Sequence, residues 1–160
     1  ALRSSSAMVR PAAVVGLNSL GSLIWAPGRS KTNDIPLLLI GGTLDLITPP
    51  LDEQIGLMAV LGQHPASRAV VIEGASHFSP IRVGETPHGP RSDDLFQLGE
   101  ELVGVNPRRV QRVIANEIVV FLNGLSAEPP AAVSEHWSDG DVRWHRFPIT
   151  SAKALLRRYQ

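Results

Sequence analysis

Three short apolar runs, unbroken by polar side chains, constrain this chain more than any other feature. They are Ala12–Leu17 (Ala-Ala-Val-Val-Gly-Leu), Ile35–Ile40 (Ile-Pro-Leu-Leu-Leu-Ile) and Ala69–Ile72 (Ala-Val-Val-Ile). A strand with one wet face alternates apolar and polar residues. A continuous run bounded by Gly and Pro instead suits a strand covered on both faces, as in a parallel sheet flanked by helices. Between the second and third runs, Leu51, Ile55, Met58 and Leu61 recur at helical spacing. Thr48 is the expected N-cap of that helix, Pro49 its first residue and Gly62 its stop. Strand, helix, strand is the unit of a parallel crossover, so the fold class is α/β.

Further along, Ser79–Arg91 has the Pro and Gly content of a loop. Asp94 and Gln97 have capping-box spacing before a helix with Leu95, Leu98 and Leu102 in register. Asn106-Pro107 opens the best helical pattern in the chain. Val110, Val113, Ile114, Ile118, Phe121 and Leu122 are expected on its buried face, with Arg108, Arg109, Arg112 and Glu117 off it and Asn123-Gly124 as its end. Composition changes after Ala127, which divides the chain into a body of residues 1–127 and an extension of residues 128–160. The extension begins with the linker-like Glu128-Pro129-Pro130-Ala131-Ala132 and holds Trp137, Trp144, Phe147 and Tyr159. A cluster of aromatics seeks cover, so the extension is expected to dock on the body. Thr150 or Ser151 is the expected cap of a last helix through Leu156.

Lys+Arg and Asp+Glu are both 15, which gives no electrostatic reason to expect nucleic acid. No apolar run approaches the ~20 residues of a membrane span, and cysteine is absent, which removes disulfides and thiolate metal sites. The first residues, Ala1-Leu2-Arg3-Ser4-Ser5-Ser6-Ala7-Met8, lack the apolar core of a signal peptide and read as the cut edge of a longer chain. A soluble, cytoplasmic location is the expectation, although no residue fixes the compartment.

Two signatures carry chemistry. Gly41-Gly42-Thr43-Leu44-Asp45-Leu46-Ile47-Thr48-Pro49 follows the second apolar run, and Gly74-Ala75-Ser76-His77-Phe78 follows the third. Loops at the carboxyl ends of adjacent parallel strands emerge on one sheet edge. Asp45 and His77 each lie five residues beyond the run they follow, so a carboxylate and an imidazole can meet there. That is the pairing a hydrolytic triad uses to fix the tautomer of its base. Each signature also has a plainer reading: Asp45 as a turn or capping residue, His77 as a surface histidine.

Gly42, Asp45 and Pro49 match the Gly-x-x-Asp pattern, with its following Pro, of the α/β-hydrolases. Gly74 and His77 match their Gly-x-x-His. The helix Pro107–Leu122 is similar to their terminal helix. From Ala12 to Gly124 the chain resembles the C-terminal half of that fold, nearest to bacterial dienelactone-hydrolase-like and platelet-activating-factor-acetylhydrolase-like proteins. The resemblance implies an ester-cleaving hydrolase with Asp45 as triad acid, His77 as triad base, a small ester as substrate and no cofactor.

The family's Gly-x-Ser-x-Gly elbow is absent, and its nucleophile and oxyanion hole are expected upstream of Ala1. Ser19, in Leu17-Asn18-Ser19-Leu20-Gly21, is the nearest candidate but lacks the first Gly. The other function class is a non-catalytic remnant or interaction module that pairs through an exposed edge strand, Ala12–Leu17. No phosphate-binding Gly-rich motif follows any of the strands. His64, His88, His136 and His145 lack metal-ligand spacing and read as surface residues. Ser138-Asp139-Gly140-Asp141 reads as a turn, because a calcium loop from Asp139 would need an acid where Thr150 stands.

Overall fold

The computed structural model describes residues 10–24, 34–81, 106–126 and 136–159. The three apolar runs form parallel strands: β1 (Val14–Leu17), β2 (Leu37–Gly42) and β3 (Arg68–Ile72). A four-residue helix α1 (Gly21–Ile24) follows β1. A π-helical turn, Leu51–Ile55, runs into α2 (Gly56–Leu61) between β2 and β3. Then come α3 (Pro107–Gly124), the strands β4 (His136–Asp139) and β5 (Val142–Pro148), and α4 (Ile149–Leu156). The sheet is mixed, with order β1-β2-β3-β5-β4, and β5 runs antiparallel to both β3 and β4. This is an α/β architecture.

Strand alternation sorts the core into two layers. Leu38, Ile40, Val70 and Ile72 face Val110, Val113 and Phe121 of α3. Leu37, Leu39, Ala69 and Val71 face Ile55, Met58 and Leu61, with Ala152 of α4 beside them. A single strand thus feeds both layers, which is why its sequence is apolar throughout.

Several local expectations change. Thr48 does not cap the helix: helical geometry begins at Leu51 after Pro50, and the Thr48 hydroxyl is engaged by Asp45. Gly62 does close α2. The Asn106 side chain caps α3 by accepting from Arg108 N, with Pro107 at the first turn. Leu122, expected inside, is exposed, and Glu117, expected outside, is 2% exposed. Position 117 is four residues after Val113 and four before Phe121, so it lies in the middle of the buried stripe. The last helix begins at Ile149, after Pro148, without a side-chain cap, so neither Thr150 nor Ser151 opens it.

The strands of the extension are the main addition to the sequence reading. Of Ser138–Asp141, the last two residues form the turn, with Gly140 at φ 62° joining β4 to β5, while Ser138 and Asp139 belong to β4. The aromatic segment docks as sheet: Phe147 pairs with Ala69 and Trp144 with Ile72. The loop after Ile81 through Arg91, the Asp94–Leu102 helix and the Glu128–Ala132 linker lie outside the described residues. Among the described residues no helix is long and apolar enough to cross a membrane.

Candidate functional site

Asp45 and His77 meet at the carboxyl edge of β2 and β3. The backbone brings them there. Thr43 N donates to Ile72 O at 3.0 Å, and Leu44 N donates to Ala75 O at 3.0 Å. Gly74 N donates to the Thr43 hydroxyl at 2.9 Å. Gly42 is required by this approach, because a Cβ there would fall on the Ala75 carbonyl. Gly74 turns the chain at φ 73°, a conformation glycine adopts without strain.

The Asp45 carboxylate is 2% exposed and has a full set of donors. Its Oδ1 accepts from Ile47 N at 2.9 Å and Thr48 N at 2.7 Å. Its Oδ2 accepts from Thr48 Oγ1 at 2.6 Å. His77 Nδ1 lies 2.9 Å from Oδ2 and 3.1 Å from Oδ1. The plain reading of Asp45 as a turn residue and the sharp one as a partner of His77 therefore describe two ends of one carboxylate. Thr48 is the residue that sequence reasoning misplaced. It also lies 3.3 Å from His77 Nδ1. Its spacing of three from Asp45 is the signal that could have located it.

The His77 side chain is 27% exposed, whereas that of Asp45 is fully buried. Among the described residues, every hydrogen bond to the His77 ring falls on Nδ1. A carboxylate at Nδ1 selects the tautomer with its proton there and the lone pair on Nε2. Phe78 packs edge-on against the ring, with centroids 5.4 Å apart. The arrangement can therefore orient an imidazole and stabilise the imidazolium that forms when Nε2 accepts a proton.

Ser19 shares the same sheet edge, beyond β1, but its hydroxyl does not join the pair. Ser19 Oγ is buried without a hydrogen-bond partner among the described residues and lies over Gly16 of its own strand. The loop around it is held from below. Gln54 Nε2 donates to Ser19 O at 3.2 Å, and the buried Glu53 accepts from Ser22 N at 2.8 Å and Ser22 Oγ at 2.5 Å.

His64 accepts from Ala66 N within its own turn, and His88 lies outside the described residues. His136 and His145 are cross-strand neighbours in the hairpin. Among the described residues no group of three or more His, Asp or Glu side chains is arranged to hold a metal ion. No protein-family model matches the chain, and no curated protein is similar enough to count as a relative.

Proposed function

We propose that Asp45 and His77 are the acid and base of a hydrolytic triad acting on carboxylic esters, in a domain of α/β-hydrolase type. One observation carries this reading. A fully buried carboxylate holds Nδ1 of a partly exposed imidazole at 2.9 Å, where two adjacent parallel strands end. In this reading Nε2 of His77 takes the proton of an attacking hydroxyl or thiol as that atom adds to the ester carbonyl. The imidazolium returns the proton to the leaving alkoxide, and a water repeats the cycle on the acyl-enzyme. Asp45 stays ionised and keeps the ring in place. Ser19 Oγ makes no hydrogen bond to His77 among the described residues, so the reading takes the nucleophile and the oxyanion donors from outside them.

The test combines a fluorophosphonate probe with a short-chain aryl ester. The 160-residue chain is expected to show neither labelling nor turnover. A chain extended through the coding sequence upstream of Ala1, expected to carry Gly-x-Ser-x-Gly or Gly-x-Cys-x-Gly, should turn the ester over. Asp45→Asn in that extended chain should lower kcat by roughly 10³- to 10⁴-fold, as expected when the carboxylate that sets the tautomer is lost. Stoichiometric labelling of Ser19 in the short chain would make that residue the nucleophile. An extended chain that reacts with neither reagent would sink the hydrolase reading.

A second reading, an interaction module, is favoured by β1. The strand lies at the sheet edge, and its Val14, Val15 and Leu17 are 37–41% exposed. The aromatic extension adds nothing to this reading, because its strands β4 and β5 are built into the sheet. Size-exclusion chromatography at two concentrations decides: a concentration-independent monomer argues against pairing through β1.

A further inference from the structure

We infer that Asn18 is a positioning residue for His77, and that the loop after β1 is the strut that fixes the acid-bearing and base-bearing loops relative to each other. The inference rests on the Asp45–His77 reading and extends it to a third strand. Asn18 follows the last residue of β1, and its N–H continues the parallel ladder by donating to Ile40 O at 2.8 Å. Among the described non-glycine residues it alone has a positive φ, 45°. Asparagine tolerates this left-handed conformation better than most side chains. There the amide Nδ2 reaches across 59 positions of sequence and donates to the backbone carbonyl of His77 at 2.6 Å.

That bond addresses what Asp45 leaves open. The carboxylate fixes one ring nitrogen, but the direction of Nε2 also depends on where the His77 backbone sits. Asn18 pins that backbone. The next residue is tied to the other side of the site: Ser19 O accepts from Gln54, and Ser22 is held by Glu53, both in the helical turn that follows the Asp45 loop. The acid-bearing segment, the β1 loop and the base-bearing loop are thus linked in series. Only a short side chain with an N–H donor, on a backbone that accepts positive φ, completes the link at position 18.

The experiment reads the His77 Nδ1 proton by NMR, through its downfield resonance and its exchange with water, in the 160-residue chain. Asn18→Gly keeps the backbone conformation and removes the donor. Asn18→Asp keeps the shape and sets a carboxylate oxygen against the carbonyl. Both should remain folded by circular dichroism and should speed exchange of the Nδ1 proton about five- to tenfold, the worth of one net hydrogen bond, with Asn18→Asp the more severe. Asp45→Asn should abolish the protected resonance. If Asp45→Asn abolishes it and the Asn18 variants leave it unchanged, Asn18 is a structural clamp only and this inference is overturned. If Asp45→Asn leaves it unchanged, the Asp45–His77 reading itself fails. An Asn18→Gly chain that does not fold would place Asn18 in global stability, and would likewise overturn the positioning role.

Discussion

The parallel half of the sheet and its antiparallel half each hold a carboxylate beside an imidazole, and they do so by different means. In β2 and β3 both faces are covered, so polar side chains are confined to the strand ends, whereas the edge strand β1 is apolar but half exposed. Asp45 and His77 are brought together by loops, and the carboxylate is buried among four donors. In the β4–β5 hairpin the polar groups lie along the strand faces. There Glu73, the residue after β3, accepts from His145 of β5 at 2.6 Å and pairs with the exposed Arg143 at 2.6 Å. The second nitrogen of His145 lies 2.6 Å from His136 Nδ1. Distance alone therefore does not distinguish a candidate acid–base pair from a surface contact. The distinction lies in the burial of the carboxylate and in what engages the other ring nitrogen.

The hairpin half has a buried charge of its own, and removing it is the largest way to break the comparison. Glu117 accepts from Arg146 Nη2 at 2.7 Å, from Arg146 Nε at 2.9 Å and from Trp144 Nε1 at 2.9 Å. Arg68 stands 3.7 Å away, and burial pushes its guanidinium below the usual value while Glu117 opposes that shift. Arg146 also stacks over Trp137 at 4.1 Å. Glu117→Ala leaves Arg146 buried and uncompensated, and should destabilise the protein by about 3–5 kcal/mol in urea unfolding. Hydrogen exchange should show β5 amides opening before those of β2. Replacing both partners, as Glu117→Met with Arg146→Met, should recover most of that loss.

Gly42→Ala tests the parallel half. The new methyl meets the backbone of Ala75, which cannot yield as a flexible side chain would. The expected loss is about 1–3 kcal/mol by overpacking. It should be accompanied by loss of the protected His77 Nδ1 proton, because the contact lies between the two loops that carry the pair. A variant that loses stability and keeps that signal would show that the Asp45–His77 contact survives separation of the strand ends.

These cases also show how far the sequence carried. The runs Ile35–Ile40 and Ala69–Ile72 were legible because burial on both faces leaves an apolar run, although β2 continues through Gly41-Gly42 and β3 begins at Arg68, and the strand ends then located Asp45 and His77. Pairings between distant segments were not legible. In Val142–Pro148 the alternation breaks at His145-Arg146, because Arg146 is buried against Glu117, so the strand declares itself only through its partners β3 and β4. Glu117 sits on the apolar stripe of α3, but its charge suggests solvent until Arg146, 29 positions away, is placed beside it. Asn18 shows the same limit across 59 positions. Thr48 was visible at the right spacing but was assigned to the helix, because a capping hydroxyl and a hydroxyl donating to a nearby carboxylate have the same local pattern.

The smallest expected effect falls on the surface pair. Glu73 has its carboxyl held below its ordinary value of 4.5, first by the hydrogen bond from His145 and further by the charges of Arg143 and His145. A depressed folded-state value means that folding favours the ionised form. The stabilisation is then complete above the ordinary value and is lost as pH falls through the lower, folded one. His145→Gln removes the leading cause. At neutral pH it should lower stability by no more than about 1 kcal/mol, since both partners are partly solvated. The difference from the parent should shrink as pH falls below the ordinary value and through the lower, folded one, as Glu73 becomes protonated in both proteins. Urea midpoints followed from neutral into acid pH measure this. A loss as large as that of Glu117→Ala, or one that persists undiminished in acid, would show that the Glu73–His145 contact is held as firmly as the buried pairs and would erase the contrast between the two halves of the sheet.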